Sequence, residues 1–213
     1  MDIYVNDNKI GYKPMFPLTW GNFFQKMLQE PEYIKKDHGI VKISIDGVDS
    51  LDVMLNGTDE LVPETIVEIR IHTKDSLSIT RDGLAKVTTL IESIKKEISQ
   101  AADLFREGKI KEGSTKITRI MEAFKPMINF INSIGISFSM NFDEMYFKQG
   151  VTLREKIESF LKTFEDLLNA QQKKDYVELA DYLEYQLMED MEDWNSIAVI
   201  LLKEAEANKA TNA

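Results

Sequence analysis

The sequence predicts an α+β protein, in which an N-terminal domain of strands and one helix (residues 1–76) precedes an antiparallel four-helix bundle (residues 80–205) and a frayed tail (residues 206–213). Two observations lead to this prediction. Apolar and polar residues alternate in several short segments before residue 76, which is the period of a half-buried strand. After residue 80, apolar residues recur every three or four positions over long segments, which is the period of an amphipathic helix.

The first domain contains five segments with the features of strands. Ile3 and Val5 lead through a turn-prone Asn6-Asp7-Asn8 triplet to Ile10 and Tyr12, which predicts a hairpin. Three further strands are predicted at residues 41–45, 51–55 and 67–71.

One helix is predicted between the hairpin and the later strands. Thr19 can cap it and Pro31 ends it, and its apolar residues repeat at helical spacing: Trp20, Phe23, Phe24, Met27 and Leu28. This order of elements resembles the β-grasp fold of ubiquitin-like and sulfur-carrier proteins over residues 1–73. Sulfur carriers end in a free Gly-Gly, whereas here the chain continues through residues 72–75 and contains no Gly-Gly. Carrier chemistry is therefore not expected.

The second domain is predicted to contain four helices, over residues 84–105, 110–131, 153–167 and 175–201. Asp82 is a candidate cap for the first helix, and residues 73–80 form a short linker before it. Pro126 is expected to bend or interrupt the second helix. Four amphipathic helices of this length form a bundle. A shift of 66 residues places Ile91-Glu92-Ser93 on Ile157-Glu158-Ser159, so duplication of a helix hairpin stays open.

The composition excludes several classes of function. The net charge of −10 disfavours binding to nucleic acid or to anionic lipid, because both rely on clustered Lys and Arg. No apolar run reaches the length of a membrane helix and the N-terminus lacks a basic signal-peptide start, so a cytoplasmic location is expected.

The same residues argue against an enzyme. The chain has no cysteine, and its two histidines, His38 and His72, both lie in the first domain and outside any Glu-x-x-His motif. Phosphate-binding glycine loops and a G-x-S-x-G elbow are also absent from the sequence. We therefore expect a non-enzymatic protein without a cofactor or a metal.

The connection between the second and third helices, residues 124–147, is unusually apolar for a surface loop. Methionine and aromatic residues are enriched at interaction surfaces, which makes this segment a candidate partner-binding site. Its candidate residues are Phe124, Met127, Phe130, Phe138, Met140, Phe142, Met145 and Phe147. Two alternatives remain: the segment packs into the protein's own core, or it is buried in a homodimer.

Acidic residues are concentrated between Asp175 and Leu202, where eight carboxylates occur without a Lys or Arg. This segment is either a solvated helix face or a docking face for a basic partner.

The second domain resembles the flagellar export chaperones, which are small acidic four-helix proteins that hold flagellin in the cytoplasm. The resemblance covers residues 84–196 and rests on these positions: Glu107-Gly108-Lys109-Ile110, Ile117, Ile120, Met121, Asn169, Asp175, Leu179 and Trp194. It implies a non-enzymatic protein that sequesters helical segments of a partner. A β-rich domain replaces the family's short N-terminal tail, and its Tyr-rich third helix is Phe-rich here, which puts flagellin itself in doubt as the partner.

The sequence therefore predicts a cytoplasmic adaptor or chaperone-like protein that binds an amphipathic helix, in a flagellar or secretion-related role. The alternatives are a small-molecule or enzymatic site in a cleft between the domains, built from Asp and Glu with Tyr33 or Tyr146, and a structural homodimer subunit.

Overall fold

A computed structural model of the protein describes residues 1–148 and 150–211, without the side chain of Thr211. The chain is a mixed α+β protein with an N-terminal sheet and a C-terminal helical region, which confirms the predicted class. It divides into two compact units, an N-terminal unit of Met1–Ile79 and a helical unit that begins at Thr80. Among the described residues, no helix is both long enough and apolar enough to cross a membrane.

The N-terminal unit is built on a five-stranded sheet in the order β2-β1-β5-β3-β4. Strands β1 and β5 are parallel, with Ile3 opposite Ile69, and the other neighbouring strands are antiparallel. The elements are β1 Asp2–Val5, β2 Asn8–Lys9, α1 Trp20–Gln29, β3 His38–Ile45, β4 Val48–Asp49, α2 Leu51–Asn56 and β5 Glu68–Asp75.

The core of the N-terminal unit lies between α1 and the sheet. Thr19 caps α1, since its hydroxyl accepts a hydrogen bond from the Asn22 amide at 3.3 Å. Alternate strand residues and one face of α1 are buried together, as their two periods require. The buried set includes Ile3, Val5, Trp20, Phe23, Phe24, Met27, Ile43, Ile69 and Ile71.

Three predictions for this part of the chain are wrong. Residues 51–55 form α2 instead of a strand, because a short apolar run has no period that separates the two structures. The expected linker at residues 73–80 does not exist, since β5 ends at Asp75 and α3 begins at Ser76. Asp75 instead of Asp82 marks the start of the helix, and its carboxylate accepts hydrogen bonds from the amide and hydroxyl of Ser78 at 3.2 and 2.6 Å.

The helical unit contains long helices and one small hairpin. Its elements, of which the first begins in the N-terminal unit, are α3 Ser76–Arg106, α4 Ile110–Ser137, β6 Tyr146–Lys148, β7 Val151–Thr152, α5 Leu153–Lys173, α6 Tyr176–Asp181, a π-helical segment Tyr182–Leu187 and α7 Met188–Thr211. The sequence predicted that Pro126 would either bend or interrupt the second helix. The helix is not interrupted, because α4 continues through Pro126 to Ser137. Helix α7 continues to Thr211, so residues 206–211 are helical and not a frayed tail, while residues 212–213 lie outside the described residues.

All the long helices contribute to one core in this unit. At its centre the Phe160 ring lies 4.8 Å from Phe124, 4.9 Å from Phe164 and 5.3 Å from Trp194, between ring centroids. All three contacts are edge-to-face, the arrangement that aromatic quadrupoles favour. The third predicted helix is Phe-rich because its rings fill this centre.

Candidate functional site

The eight residues predicted to bind a partner all contact the core of the helical unit. Phe124, Met127 and Phe142 are buried within it. The other five are partly buried and pack against it: Phe130, Phe138, Met140, Met145 and Phe147. Residues 124–137 belong to α4, so the predicted loop is in fact the end of a helix followed by a shorter connection. In this structure only the five partly buried side chains retain surface that a partner can contact.

Two glycines allow aromatic rings of this segment to pack closely. A Cβ atom at Gly83 would clash with the Phe130 ring, and one at Gly135 would lie 2.7 Å from the Phe142 ring. Real Cβ atoms do not approach other atoms so closely. The rings therefore use space that only glycine leaves open on α3 and α4.

Residues 138–145, which we call the connecting segment, are held by hydrogen bonds at both ends. The Asn208 side chain on α7 donates to the Phe138 carbonyl at 3.2 Å. The Leu153 amide donates to the Met145 carbonyl at 2.7 Å, at the start of α5. The connecting segment is thus fixed between the ends of two helices, which gives any site on it a defined shape.

A largely buried network of charges lies next to this segment. Lys156 on α5 contacts Asp190 at 2.7 Å and Asp193 at 2.8 Å, and both aspartates lie on α7. Lys148 in β6 contacts the second oxygen of Asp193 at 2.6 Å, and the Thr163 hydroxyl donates to Asp190 at 3.0 Å. The Asp190 side chain is fully buried and that of Lys156 is 12% exposed. The network joins the β6–β7 hairpin to α5 and α7.

Two groups of this network, Lys156 and Asp193, have pKa values shifted toward their charged forms. Burial lowers the pKa of Lys156, but the hydrogen bonds that its ammonium donates to Asp190 and Asp193 outweigh this effect, so the pKa lies above its ordinary value. Burial likewise raises the pKa of Asp193, but Lys148 and Lys156 outweigh it and the pKa is lowered. A protonated lysine is not a nucleophile and an ionised carboxylate is not a general acid. The pairing of Lys148 with Asp193 holds β6 against α7.

A groove of about 370 Å³, which we call the methionine groove, lies between the connecting segment and α7. Met140, Met145 and Ile200 contribute its apolar wall, and Tyr146, whose surface is 66% exposed, stands at its edge. Its polar rim consists of Ser139, Asn141, Glu144, Glu204 and Asn208. Two of the eight predicted residues, Met140 and Met145, therefore line one open site, and the other six do not.

The sequence patterns did not reveal the contribution of α7 to this groove, nor the charge network. A signal for the network existed: Lys156 falls within the apolar repeat of Leu153 and Phe160, and Asp190 within that of Leu187 and Trp194. Charged residues on an apolar helix face are rarely buried unless they are paired. No comparable signal marks Ile200 or Asn208.

The carboxylates between Asp175 and Leu202 fall into two groups. Asp190 and Asp193 belong to the network, Glu192 contacts Lys95 at 3.7 Å, and Arg106 pairs with Asp181 and Glu184. Asp175, Glu178 and Glu189 have no ion-pair partner within residues 1–148 and 150–211, and the Asp175 side chain accepts a hydrogen bond from the Glu178 amide.

Other candidate chemistries have little geometric support. The part of the chain that the structure describes holds no cluster of three or more His, Asp or Glu side chains that could bind a metal. Tyr33 lies in the N-terminal unit, 5.7 Å from Tyr12 between ring centroids, and its hydrogen bond with Glu32 raises the pKa of its hydroxyl. Tyr146 lies in the helical unit. A raised pKa disfavours the tyrosinate form that a catalytic base needs.

Comparison with known proteins gives a family but no described function. The helical region matches the model of a domain of unknown function, DUF8042, over residues 82–197. This match covers more than half of the chain, so the protein belongs to the DUF8042 family. No curated protein and no solved structure matches it. The matched region includes the charge network and the connecting segment, whereas Ile200, Glu204 and Asn208 lie beyond its end.

Proposed function

We propose that this protein is a non-enzymatic adaptor or chaperone-like protein that binds an amphipathic helix of a partner in the methionine groove. The observation that supports this proposal is the open groove with Met140 and Met145 on its wall and the exposed ring of Tyr146 at its edge. Methionine side chains adapt to differently shaped apolar partners, and tyrosine is a frequent anchor of protein interfaces.

The groove combines a small apolar patch with a mostly polar lining, which suits an amphipathic helix better than a wholly apolar one. An amphipathic helix binds by placing side chains at i, i+3, i+4 and i+7 in an apolar channel, while its flanks contact polar residues. Here Glu144 of the connecting segment and Glu204 of α7 also line the groove. The connecting segment that lines the groove is fixed at both ends by hydrogen bonds, so a partner would meet a preformed surface and lose little ordering entropy.

The proposal extends to the fold and the location. A sheet in the order β2-β1-β5-β3-β4 with β1 and β5 parallel supports a β-grasp fold for the N-terminal unit. Helices α3, α4, α5 and α6–α7, which share one core, support a four-helix bundle in the other unit. The resemblance of residues 84–196 to flagellar export chaperones supports a secretion-related role in the cytoplasm.

The test uses two tyrosines of equal exposure on different surfaces. Tyr146 is 66% exposed beside the methionine groove, and Tyr185 is 68% exposed on the outer face of the helices that follow α5. Tagged full-length protein and the variants Tyr146→Ala and Tyr185→Ala are used to capture partners from native lysate. The captured protein is then purified and its affinity measured for each variant.

We expect Tyr146→Ala to weaken binding by about 1 kcal/mol or more, as interface anchors do, with Tyr185→Ala close to wild type. Circular dichroism should show both variants folded, since neither tyrosine is buried. Failure to capture any partner whose affinity depends on Tyr146 would contradict the proposal. A concentration-dependent dimer that Tyr146→Ala dissociates would instead favour the homodimer alternative.

A further inference from the structure

A second open surface lies on the outer face of α6, the π-helical segment and the first turn of α7. It is a shallow groove of about 720 Å³. Val177 is 74% exposed and Tyr185 is 68% exposed on it, and Tyr182 lies between them. Large apolar and aromatic side chains exposed side by side are typical of binding surfaces.

The border of this groove is acidic. Four carboxylates line it, from Asp175, Glu178, Asp181 and Glu189, and no lysine or arginine does. Arg106 pairs with Asp181, while Glu178 and Glu189 find no ion-pair partner in the described chain. The groove therefore carries uncompensated negative charge around an apolar strip, and we call it the acidic groove.

The local helix geometry explains why these side chains point outward together. Leu179, Leu183, Leu187 and Met191 are all fully buried at intervals of four residues. In an ideal helix of 3.6 residues per turn, a row at intervals of four drifts around the axis. The wider π-helical turn absorbs this drift, so the row stays buried, Tyr185 stays exposed, and Tyr182, which packs partly against the core, still lines the groove. Single π-turns occur often at functional sites.

From these features we propose that the acidic groove docks a basic amphipathic helix of a partner protein. The strip from Asp175 to Glu189 is roughly 20 Å long, which matches about four turns of a helix. An apolar face of that helix would cover Val177, Tyr182 and Tyr185, and Lys or Arg on its flanks would pair with Glu178 and Glu189.

Charge complementarity selects this occupant over others. Nucleic acid and anionic lipid are repelled by four carboxylates. An uncharged apolar helix would remove those carboxylates from water without compensation, which is costly. The site is separate from the methionine groove, because the two grooves share no residue. Binding here can therefore succeed or fail independently of the function proposed above.

The experiment measures binding of a designed peptide to the full-length protein by fluorescence anisotropy. The probe is a helical peptide of about 18 residues with Leu at i, i+3, i+4 and i+7 and Lys on both flanks. A peptide of the same composition in scrambled order and one with Glu in place of Lys are the ligand controls. We expect only the ordered Lys peptide to bind, with affinity that falls as salt rises, because exposed charges are screened over about 10 Å at 0.1 M.

Four variants decide the location of binding. Tyr185→Ala and the pair Glu178→Gln/Glu189→Gln should each raise the Kd by roughly tenfold, the effect of losing an interface anchor. Glu158→Gln/Glu165→Gln makes the same charge change on α5, where both carboxylates are exposed outside the groove, and should have little effect. Tyr146→Ala should bind as wild type does.

Equal binding of the ordered and scrambled peptides would overturn the proposal, because it would show attraction to charge alone. A Kd of the ordered Lys peptide that Tyr185→Ala leaves unchanged would overturn the proposal as well. A loss that follows Tyr146→Ala instead would place the peptide in the methionine groove and would support only the proposed function. Circular dichroism on each variant confirms that the fold is retained.

Discussion

The ring of Phe142 packs directly against the backbone of Gly135, so closely that a Cβ atom at residue 135 would lie 2.7 Å from the ring. Gly135 lies near the end of α4, and Phe142 follows it in the connecting segment. Phe142 is only 7% exposed. The chain therefore folds back on the helix that it has just left, and this return fixes the wall of the methionine groove.

Gly135→Ala should destabilise the protein because the new methyl group displaces Phe142. Overpacking costs about 1–3 kcal/mol, and the gain in helix propensity returns up to about 1 kcal/mol. We expect a net loss of about 1 kcal/mol in the free energy of urea unfolding. In a Phe142→Leu background the same substitution should cost less. An unchanged or increased stability of Gly135→Ala alone would show that the ring can move without cost.

Phe142→Ser and Phe138→Ser should differ in stability, since the first side chain is buried and the second only partly. Phe142→Ser should lower the free energy of unfolding by about 3 kcal/mol or more, as large-to-small core substitutions do. Phe138→Ser should lower the free energy of unfolding by clearly less. Thermal or urea unfolding of both variants measures the two losses. Equal losses would mean that Phe138 is as much a core residue as Phe142.

Removing Lys156 should be more harmful than removing an exposed lysine of the same helix. Lys156→Met leaves the fully buried Asp190 without its cation, and breaking a buried pair in this way costs about 3–5 kcal/mol. Lys162→Met, at an exposed position of α5, should stay within about 0.5 kcal/mol of wild type. A small effect of Lys156→Met would indicate that water or the Thr163 hydroxyl satisfies Asp190 adequately.

The same network predicts the pH dependence of stability. The pKa of Asp193 is lowered in the folded protein, so its contribution is present above its unfolded value of about 3.9 and is lost as the pH falls through the folded value. The pKa of Lys156 is raised, so its contribution is lost only as the pH rises through a value above about 10.4.

Urea unfolding of wild type and Asp193→Asn between pH 3 and pH 7 tests the predicted loss of the Asp193 contribution at low pH. We expect the difference in unfolding free energy to be largest near pH 7 and to shrink on acidification, because protonation removes the charge that the variant lacks. A difference that is constant with pH would assign the effect of Asp193→Asn to packing.

Periodicity predicted most of the architecture for a physical reason. Helices such as α3 and α5 bury one stripe, so Leu84, Ile91 and Phe160 repeat at intervals that the sequence displays. Residues 51–55 gave no such information, because five apolar-rich residues fit a strand face or one helical turn. The short β6–β7 hairpin was missed because Lys148 is exposed and few of its residues are buried.

The site was less predictable because it depends on contacts between distant residues. The apolar character of residues 124–147 marked the right region, but composition alone does not separate Phe142, which is buried, from Met145, which lines an open groove. The partnership of Asn208 with the Phe138 carbonyl joins residues 70 positions apart and has no local signature. The pairing of Lys156 with Asp190 is equally non-local.

Pro126 offers a test of how α4 tolerates a helix breaker. Proline lacks the N–H that would bond to the Glu122 carbonyl, and in a helix interior it costs about 3 kcal/mol relative to alanine. Pro126 is exposed, while its neighbours Phe124 and Met127 are buried. We therefore expect Pro126→Ala to raise the free energy of unfolding by about 1–3 kcal/mol. Proline also restricts the unfolded chain, which stabilises the fold, but this effect offsets only part of the destabilisation of the helix. The exposed neighbour Lys125→Ala serves as the control and should change stability by less than about 0.5 kcal/mol. If Pro126→Ala is instead destabilising, the backbone that proline imposes is needed to direct Phe124 and Met127 into the core.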